Sequence, residues 1–393
     1  MTSAGVIARR GDGDIAWRST DGIAHGPQGI GTFDPNTPFR VASVSKMIAA
    51  LVCVPLIMKA EKGLETDASG LLGFRLRHPA YPDTPITARM LLSHTSSLRN
   101  GLSYPVPFGH QLDESFLEGG QHFDQGGWFG PPSRAPGEWF AYADVNFALI
   151  AQIAEQLSGQ RFDLLMHGSL FAPLGLDIGY NWSGVSQAKR DRAAAGLRWV
   201  AGQWMAQVDA APPRAPCVTL SRASDDLRLA DYRLGENGFA FSPQGGLRLS
   251  LADMDRLARA CSDAHHGNTA AAIPSVALRA MQTPVWVLDP ARANGDTDEG
   301  VFQSYGLGIQ TPMGRPGSAG DAYFGVDSDR WRGHLGDAYG WMTGLFWNLD
   351  DQRTIVWAIN GMPETERPAG LRSSLSAPEE TLIGLAATEI IWS

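Results

Sequence analysis

Strand-like segments lie at both ends of this 393-residue chain, and the sequence between them is mainly helices and loops. Residues 5–9 and 14–18 are separated by a glycine-rich turn, which predicts a hairpin at the start of the chain. Further strand-like segments come late, at residues 305–311, 331–335, 341–348 and 354–360. Strands at both ends with helices between them predict two lobes that meet at one cleft.

The helical pattern begins near Ser43 and then alternates with long loops rich in Gly, Pro and aromatic residues. We therefore expect residues 1–60 and 240–393 to form a sheet domain. Residues 61–239 are expected to form a mainly helical domain inserted into it, with the active site in the cleft between the two. A closing helix, with Pro378 near its first turn, is expected to pack on the sheet.

Composition and charge exclude several classes of protein. Hydrophobic residues make up 44% of the chain and charged residues 19%, which is an ordinary globular balance. With 32 Lys and Arg against 41 Asp and Glu, the formal charge is -9, so no basic field attracts nucleic acid or an anionic membrane. The longest apolar run, residues 47–58, is shorter than the roughly 20 residues of a membrane span, and Pro55 interrupts it. We expect no nucleic-acid partner and no membrane span.

The remaining composition gives no sign of a cofactor, a metal site or a disulfide framework. Cys53, Cys217 and Cys261 form no C-x-x-C pair and are expected to be reduced, structural thiols. The nine histidines show no recognisable ligand spacing, and no glycine-rich dinucleotide fingerprint is present. Residues 1–20 lack the apolar core of a signal peptide. This leaves a cytoplasmic location open, or a periplasmic or secreted one if a leader has been removed.

The segment Ser43-Val44-Ser45-Lys46 leads into the apolar helix and carries a candidate nucleophile. Lys46 lies one turn after Ser43 on the same helix face. A serine hydroxyl needs a base to take its proton, and an amine in an apolar environment loses its charge more easily and can be that base. As purely structural residues, Ser43 would cap the helix and Lys46 would extend its amine to solvent.

The same four-residue pattern occurs a second time, at Ser186-Gln187-Ala188-Lys189. This copy lies in a polar, charged stretch that offers no apolar environment for its lysine. The pattern alone is therefore weak evidence, and its context favours Ser43 and Lys46.

Two further segments complete an ordered set of motifs. Tyr142-Ala143-Asp144 precedes a helix that ends near Gly159, and Gly333-His334-Leu335-Gly336-Asp337 lies on a late strand. With these segments, the chain resembles the serine β-lactamase-like hydrolases: class C β-lactamases, D-alanyl-D-alanine carboxypeptidases, D-aminopeptidases and related esterases. Residues 91–98 and 243–247 are also similar to stretches of that family.

The resemblance implies a β-lactamase/transpeptidase-like α+β fold, with an antiparallel sheet built from both chain ends, flanking helices and an inserted helical domain. It implies that Ser43 is the acylated nucleophile and that Lys46 and Tyr142 carry its proton. The strand with His334 and Gly336 would bind substrate along its edge. The backbone N–H groups of Ser43 and Asp337 would hold the oxyanion.

The sequence departs from the family pattern at two places. Asp144 stands where the family often has Asn, and it either caps its helix or reaches Lys46. In the second case it would favour the charged ammonium, and the base role would shift toward Tyr142. His334-Leu335-Gly336 replaces Lys-Thr-Gly, so the cation and hydroxyl that grip a substrate carboxylate are both absent.

The sequence therefore predicts a serine hydrolase that forms an acyl-enzyme with a small ester, amide or peptide substrate. A D-stereospecific aminopeptidase or amino-acid amidase, or a weak β-lactamase or penicillin-binding activity, is the first alternative. A slowly deacylating penicillin-binding or sensor-like module is the second. A homo-oligomer is also open, because the terminal helix around Ile383 and Ile391 is expected to be incompletely covered.

Overall fold

The structure is a computed structural model that describes residues 1–26, 29–200, 202–207, 232–268, 272–363 and 367–391. Cys217 lies outside these described residues, and so does the side chain of Ile391. Among the described residues, no helix is long and apolar enough to cross a membrane.

A six-stranded antiparallel sheet joins the two ends of the chain. Its strand order is β11-β12-β13-β1-β2-β3, so the first strand pairs directly with the last. The strands are β1 Ser3–Arg9, β2 Ile15–Gly26, β3 Gly29–Thr32, β11 Trp331–Ala338, β12 Trp341–Asn348 and β13 Thr354–Asn360. The predicted α+β fold, with a sheet built from both chain ends, is confirmed.

Helices cover both faces of this sheet, which explains why β12 and β13 are buried at every position. Val6 and Ala8 pack on one face together with Ile383 of the terminal helix. Ile7, which points the other way, packs with the helices of the main core on the opposite face. The helices are α1 Val44–Ile57, α2 Ala68–Leu72, α3 Ala88–Leu92, α4 Val145–Ser158, α5 Phe162–Met166, α6 Gln187–Arg190, α7 Leu251–His265, α8 Ser275–Gln282 and α9 Ala377–Ile391.

Besides the main sheet, the described residues form helices and three small sheets. A three-stranded sheet links β4, β8 and β5, and two hairpins are formed by β6 with β7 and by β9 with β10. Their bounds are β4 Phe39–Arg40, β5 Gly179–Tyr180, β6 Gly196–Val200, β7 Gln203–Gln207, β8 Leu247–Leu249, β9 Trp286–Val287 and β10 Ser304–Tyr305.

Two expectations differ from the structure. Residues 305–311 were expected to form one strand, but the strand ends at Tyr305, since Gly308 adopts a left-handed φ of 72° and packs closely against Ala50. Ile383 was expected to be incompletely covered, but its side chain is only 1% exposed because β1 and β13 cover it. Ile383 therefore offers no surface to a partner subunit.

Candidate active site

Ser43 directly precedes α1, at the point where that helix meets the sheet. Its backbone is in the helical region, and its side chain makes no capping hydrogen bond. The side chain is partly exposed, whereas the residues on both sides of it are buried. The Ser43 hydroxyl is therefore reachable from solvent and is not occupied as a helix cap.

Lys46 is fully buried, and its Nζ contacts three oxygen atoms. These are Ser43 Oγ at 3.1 Å, the backbone carbonyl of Gln244 at 2.8 Å and Asp144 Oδ1 at 2.7 Å. Burial lowers the pKa of Lys46, and the nearby Asp144 carboxylate opposes that change. The amine is thus held against the serine hydroxyl in a place where it gives up its proton more readily than a lysine in water.

Tyr142 lies beside this pair. Its ring stacks on Phe302 with a centroid distance of 4.6 Å and packs on His94 at 4.3 Å, and Lys46 Nζ lies 4.7 Å from its centroid. The hydroxyl is buried and has no hydrogen-bond partner among the described residues. Burial raises the pKa of Tyr142 well above its usual value, and the Ser43 side chain acts in the opposite direction. The side chain is therefore a neutral phenol that can donate a proton.

Asp144 does not cap α4, because its side chain makes no capping hydrogen bond. Asn100 accepts from the Val145 N–H instead, at 3.1 Å. The two Asp144 oxygens are used differently: Oδ1 contacts Lys46, and Oδ2 accepts from the Tyr104 hydroxyl at 2.8 Å. Of the two readings of Asp144, the structure shows the one in which it reaches the lysine.

Strand β11 lies at the open edge of the sheet, next to the Ser43 segment. A Cβ on Gly336 would come within 2.4 Å of the Val41 carbonyl oxygen, so only glycine allows this approach. On the open edge, the N–H of Gly333 bonds to the Gln310 carbonyl and the N–H of Leu335 bonds to its side chain. Because alternate residues share an edge, the N–H of Asp337 also points outward, toward the cleft.

His334 is buried beneath this strand, at 1% exposure. One ring nitrogen contacts the Leu335 carbonyl, and Nε2 accepts from the Tyr305 hydroxyl at 2.8 Å. Burial lowers the pKa of His334 to about 3, so the imidazole is neutral at physiological pH. His334 therefore does not supply the positive charge that a lysine would bring to this position.

The Asp337 side chain forms a bidentate ion pair with Arg367. The Asp337 carboxylate is thus paired with Arg367 at the end of β11, and only its backbone N–H remains for the oxyanion role that the sequence predicts.

A cavity of about 370 Å³ opens next to Tyr142. Asp298 lines it, is exposed to solvent, and has no side-chain hydrogen bond or ion pair with the described residues. Burial raises the pKa of Asp298, and the nearby acidic residues Glu299 and Asp337 add to that effect. Asp298 and Glu299 both have left-handed φ angles, of 48° and 55°, a strained arrangement of the kind found at binding sites.

The second serine–lysine pair is structural. Ser186 Oγ caps α6 by accepting from the Lys189 N–H, and the Lys189 amine pairs with Asp253 instead of the serine.

Several residues of the site were not singled out from the sequence. His94 and Gln244 lie in stretches that carried the family resemblance, Tyr104 lies in the loop before Tyr142, and Asp298 and Tyr305 lie outside both, so their roles depend on contacts between distant parts of the chain. These residues are His94, Tyr104, Gln244, Asp298 and Tyr305.

Comparison with known proteins identifies the class. The Beta-lactamase family matches residues 3–377, and the chain belongs to that family. It is 27% identical over 166 residues to penicillin-binding protein 4 of Amycolatopsis lactamdurans, which is 42% of this chain and 41% of that protein. It is also 27% identical over 191 residues to esterase EstB of Burkholderia gladioli, which is 44% of this chain and 46% of that protein. The match thus spans less than half the length of these curated relatives.

Solved structures agree on the fold. The D-amino acid amidase of Ochrobactrum anthropi SV3, complexed with D-phenylalanine, superposes with a TM-score of 0.64 at 15% identity, covering 100% of this chain and 94% of the amidase. The octameric penicillin-binding protein homologue of Pyrococcus abyssi gives a TM-score of 0.62 at 16% identity, covering 92% of this chain and 70% of that one. At these identities, the similarity shows the fold.

Proposed function

We propose that this protein is a serine hydrolase that cleaves ester or amide bonds through an acyl-enzyme on Ser43. The observation that carries the proposal is the 3.1 Å contact between Lys46 Nζ and Ser43 Oγ in a fully buried lysine environment. Family membership and the esterase and amidase names among the similar proteins support the same class of reaction.

In the proposed acylation step, a bond from the acyl carbon to Ser43 Oγ replaces its bond to the leaving group, and the net proton transfer is from Ser43 to the leaving group. Neutral Lys46 takes the Ser43 proton as Oγ attacks the substrate carbonyl carbon. Tyr142, as a neutral phenol, gives a proton to the leaving alcohol or amine, and the Lys46 proton then returns to Tyr142. The backbone N–H groups of Ser43 and Asp337 stabilise the oxyanion. Water repeats the sequence and releases the acid.

The sequence led us to expect that a contact of Asp144 with Lys46 would shift the base role toward Tyr142. We propose Lys46 as the base instead, because burial lowers the pKa of Lys46 despite the carboxylate and raises the pKa of Tyr142. A tyrosinate at this position would lie beside the Asp144 carboxylate in a desolvated place, which disfavours the anion. The contact with Asp144 therefore helps to set the pKa of Lys46, the proposed base. Tyr142 stays protonated and serves as the proton donor. His334 is a positioning residue in this scheme, because it orders Tyr305 and β11 without reaching substrate.

Substrates without a required carboxylate fit this site best. The neutral, buried His334 offers no fixed cation to such a group, so β-lactam and carboxypeptidase activities are expected to be weak. A second candidate, hydrolysis of amino-acid amides or esters with a free amine, is favoured by the unpaired Asp298 carboxylate in the cavity beside Tyr142. An ammonium group there would gain a charge-assisted contact with the Asp298 carboxylate, which is exposed at the mouth of the cavity.

The first experiment is intact-mass spectrometry over time after mixing with a p-nitrophenyl acyl ester. An acyl adduct that appears and clears while nitrophenol is released supports the hydrolase. An adduct that persists would instead support a slowly deacylating, sensor-like module.

For the second candidate, Asp298→Asn should raise KM for an amino-acid ester with a free amine but leave KM for its N-acetyl analogue unchanged. Equal effects on both esters would remove that candidate.

A further inference from the structure

Two imidazoles and a carboxylate meet on the segment that follows Tyr104, separate from Ser43. His110 Nδ1 lies 3.5 Å from Glu114 Oε2, and His122 Nε2 lies 3.8 Å from the same oxygen. The three donor atoms all lie within 4.8 Å of one another. Glu114 lies in the short 3-10 helix Leu112–Ser115, one turn after His110.

Glu114 Oε2 is buried, and no described residue donates a hydrogen bond to it. A buried carboxylate oxygen without a donor is costly, and such an atom in a folded protein points to a bound ion or water. The two imidazole nitrogens lie 3.5 and 3.8 Å from this oxygen, farther than in good hydrogen bonds. A cation between the three atoms would satisfy the carboxylate and use both nitrogens.

The backbone at all three residues is already held in place. The His110 carbonyl accepts from Asn237 Nδ2 at 3.1 Å, and the His122 carbonyl accepts from Trp128 Nε1 at 2.6 Å. Next to Glu114, the Leu112 N–H donates to the Glu236 carbonyl at 2.8 Å. The donor atoms are thus presented by a fixed framework, which lowers the ordering cost of binding an ion.

We propose that His110 Nδ1, Glu114 Oε2 and His122 Nε2 form a Zn²⁺ site. Two imidazole nitrogens and one carboxylate oxygen are a common zinc ligand set, and bond lengths of 2.0–2.2 Å place tetrahedral donor atoms about 3.4 Å apart. The two separations from Glu114 Oε2 exceed this by a few tenths of an ångström or less, and the two nitrogens, which lie within 4.8 Å of each other, can approach further by rotation of the imidazole side chains. The fourth position would be taken by water, because His110 and Glu114 are about one-third exposed.

A bound ion would stabilise the segment that follows Tyr104. The Tyr104 hydroxyl donates a hydrogen bond to Asp144. The site would not take part in the chemistry at Ser43. The sequence did not indicate it, because the ligands are separated by three and seven residues in a loop rather than by a helical metal motif.

The test is a calorimetric titration of the chelator-treated full-length protein with ZnCl₂. One ion per chain is expected, together with a higher Tm in zinc than in chelator. Glu114→Gln and His122→Asn should weaken binding by more than about 100-fold, because losing a ligand exceeds the usual cost of losing an outer-shell partner. Glu118→Gln and His167→Asn, at exposed positions, are matched controls that should bind like the wild type.

No saturable binding by the wild type, or equal binding by wild type and both ligand variants, would overturn the proposal. A second readout needs no variant. Wild-type protein loaded with Co²⁺ should show the intense visible bands of a low-coordinate ion with nitrogen ligands, whereas the spectrum of hydrated Co²⁺ would overturn the site.

Discussion

Lys46 Nζ lies 2.7 Å from Asp144 Oδ1, within an ion pair whose lysine is fully buried. The carboxylate raises the pKa of the lysine, while burial lowers it more strongly. The balance between burial and the Asp144 carboxylate therefore sets the pKa of Lys46, which contacts Ser43. The family often has an asparagine at the Asp144 position, which would not hold the lysine proton in this way.

Asp144→Asn should move the acidic limb of the kcat/KM profile to lower pH. Removing the carboxylate lowers the pKa of Lys46 further, so the neutral base is present at more acidic pH. The measurement is kcat/KM for a p-nitrophenyl ester from pH 4 to 9. Asp83→Asn, at an exposed position, is the control and should leave the limb in place. A limb that moves to higher pH in Asp144→Asn would contradict the assignment of Lys46 as the base.

Tyr142→Phe should lower kcat by about 10²–10⁴-fold, the usual contribution of a general acid or base, with little change in Tm. The phenylalanine ring keeps the packing on Phe302 and His94, and the lost hydroxyl has no hydrogen-bond partner among the described residues. Stopped-flow turnover and thermal unfolding of the same preparations check this. A fall in Tm that accounts for the lost activity would mean that Tyr142 is only a core residue.

Gly336→Ala should disrupt both the site and the stability of the protein. The new methyl group would lie within 2.4 Å of the Val41 carbonyl and of Thr343 Oγ1, so β11 must move away from Ser43. A loss of about 1–3 kcal/mol in unfolding free energy is expected, with loss of turnover. Gly31→Ala is the matched control, since nothing lies within 4 Å of a Cβ there. Equal stability and activity of the two variants would contradict the close contact of β11 with the Ser43 segment.

Buried His334 should make the protein less stable in acid. Its folded pKa of about 3 lies below the unfolded value near 6.5, so the unfolded chain binds the extra proton first. Stability is therefore retained above pH 6.5 and lost as the pH falls toward 3, with a contribution of up to about 1.4 kcal/mol per pH unit. Urea unfolding at pH 7 and pH 5 should show a smaller drop for His334→Gln than for wild type. An equal drop in both proteins would show that His334 is not the group responsible.

The sequence was informative where chemistry and local structure coincide. Ser43 and Lys46 are one helical turn apart, so their contact follows from helix geometry alone. The pairing of β1 with β13 follows from strands at both ends of a chain that must complete one sheet. An aspartate at position 144, where the family often has asparagine, also indicated a possible ion pair with Lys46, and the structure contains it.

Other parts of the site depend on contacts that no local pattern encodes. The Gln244 carbonyl accepts from Lys46 across 198 residues of sequence, and a backbone oxygen leaves no trace in the side-chain pattern. The burial of His334 depends on Tyr305, which was expected within a longer strand. The sequence could place His334 on a strand, but its neutral state at physiological pH depends on burial in the folded protein.

Acylation of Ser43 is tested most directly by mapping the residue that carries the acyl group. Wild type, Ser43→Ala and Ser186→Ala would each be mixed with a p-nitrophenyl ester, quenched in acid and digested for peptide mass spectrometry. An acyl group is expected on Ser43 in wild type and Ser186→Ala, and neither adduct nor turnover is expected in Ser43→Ala. An adduct on another residue, or undiminished turnover by Ser43→Ala, would contradict this assignment.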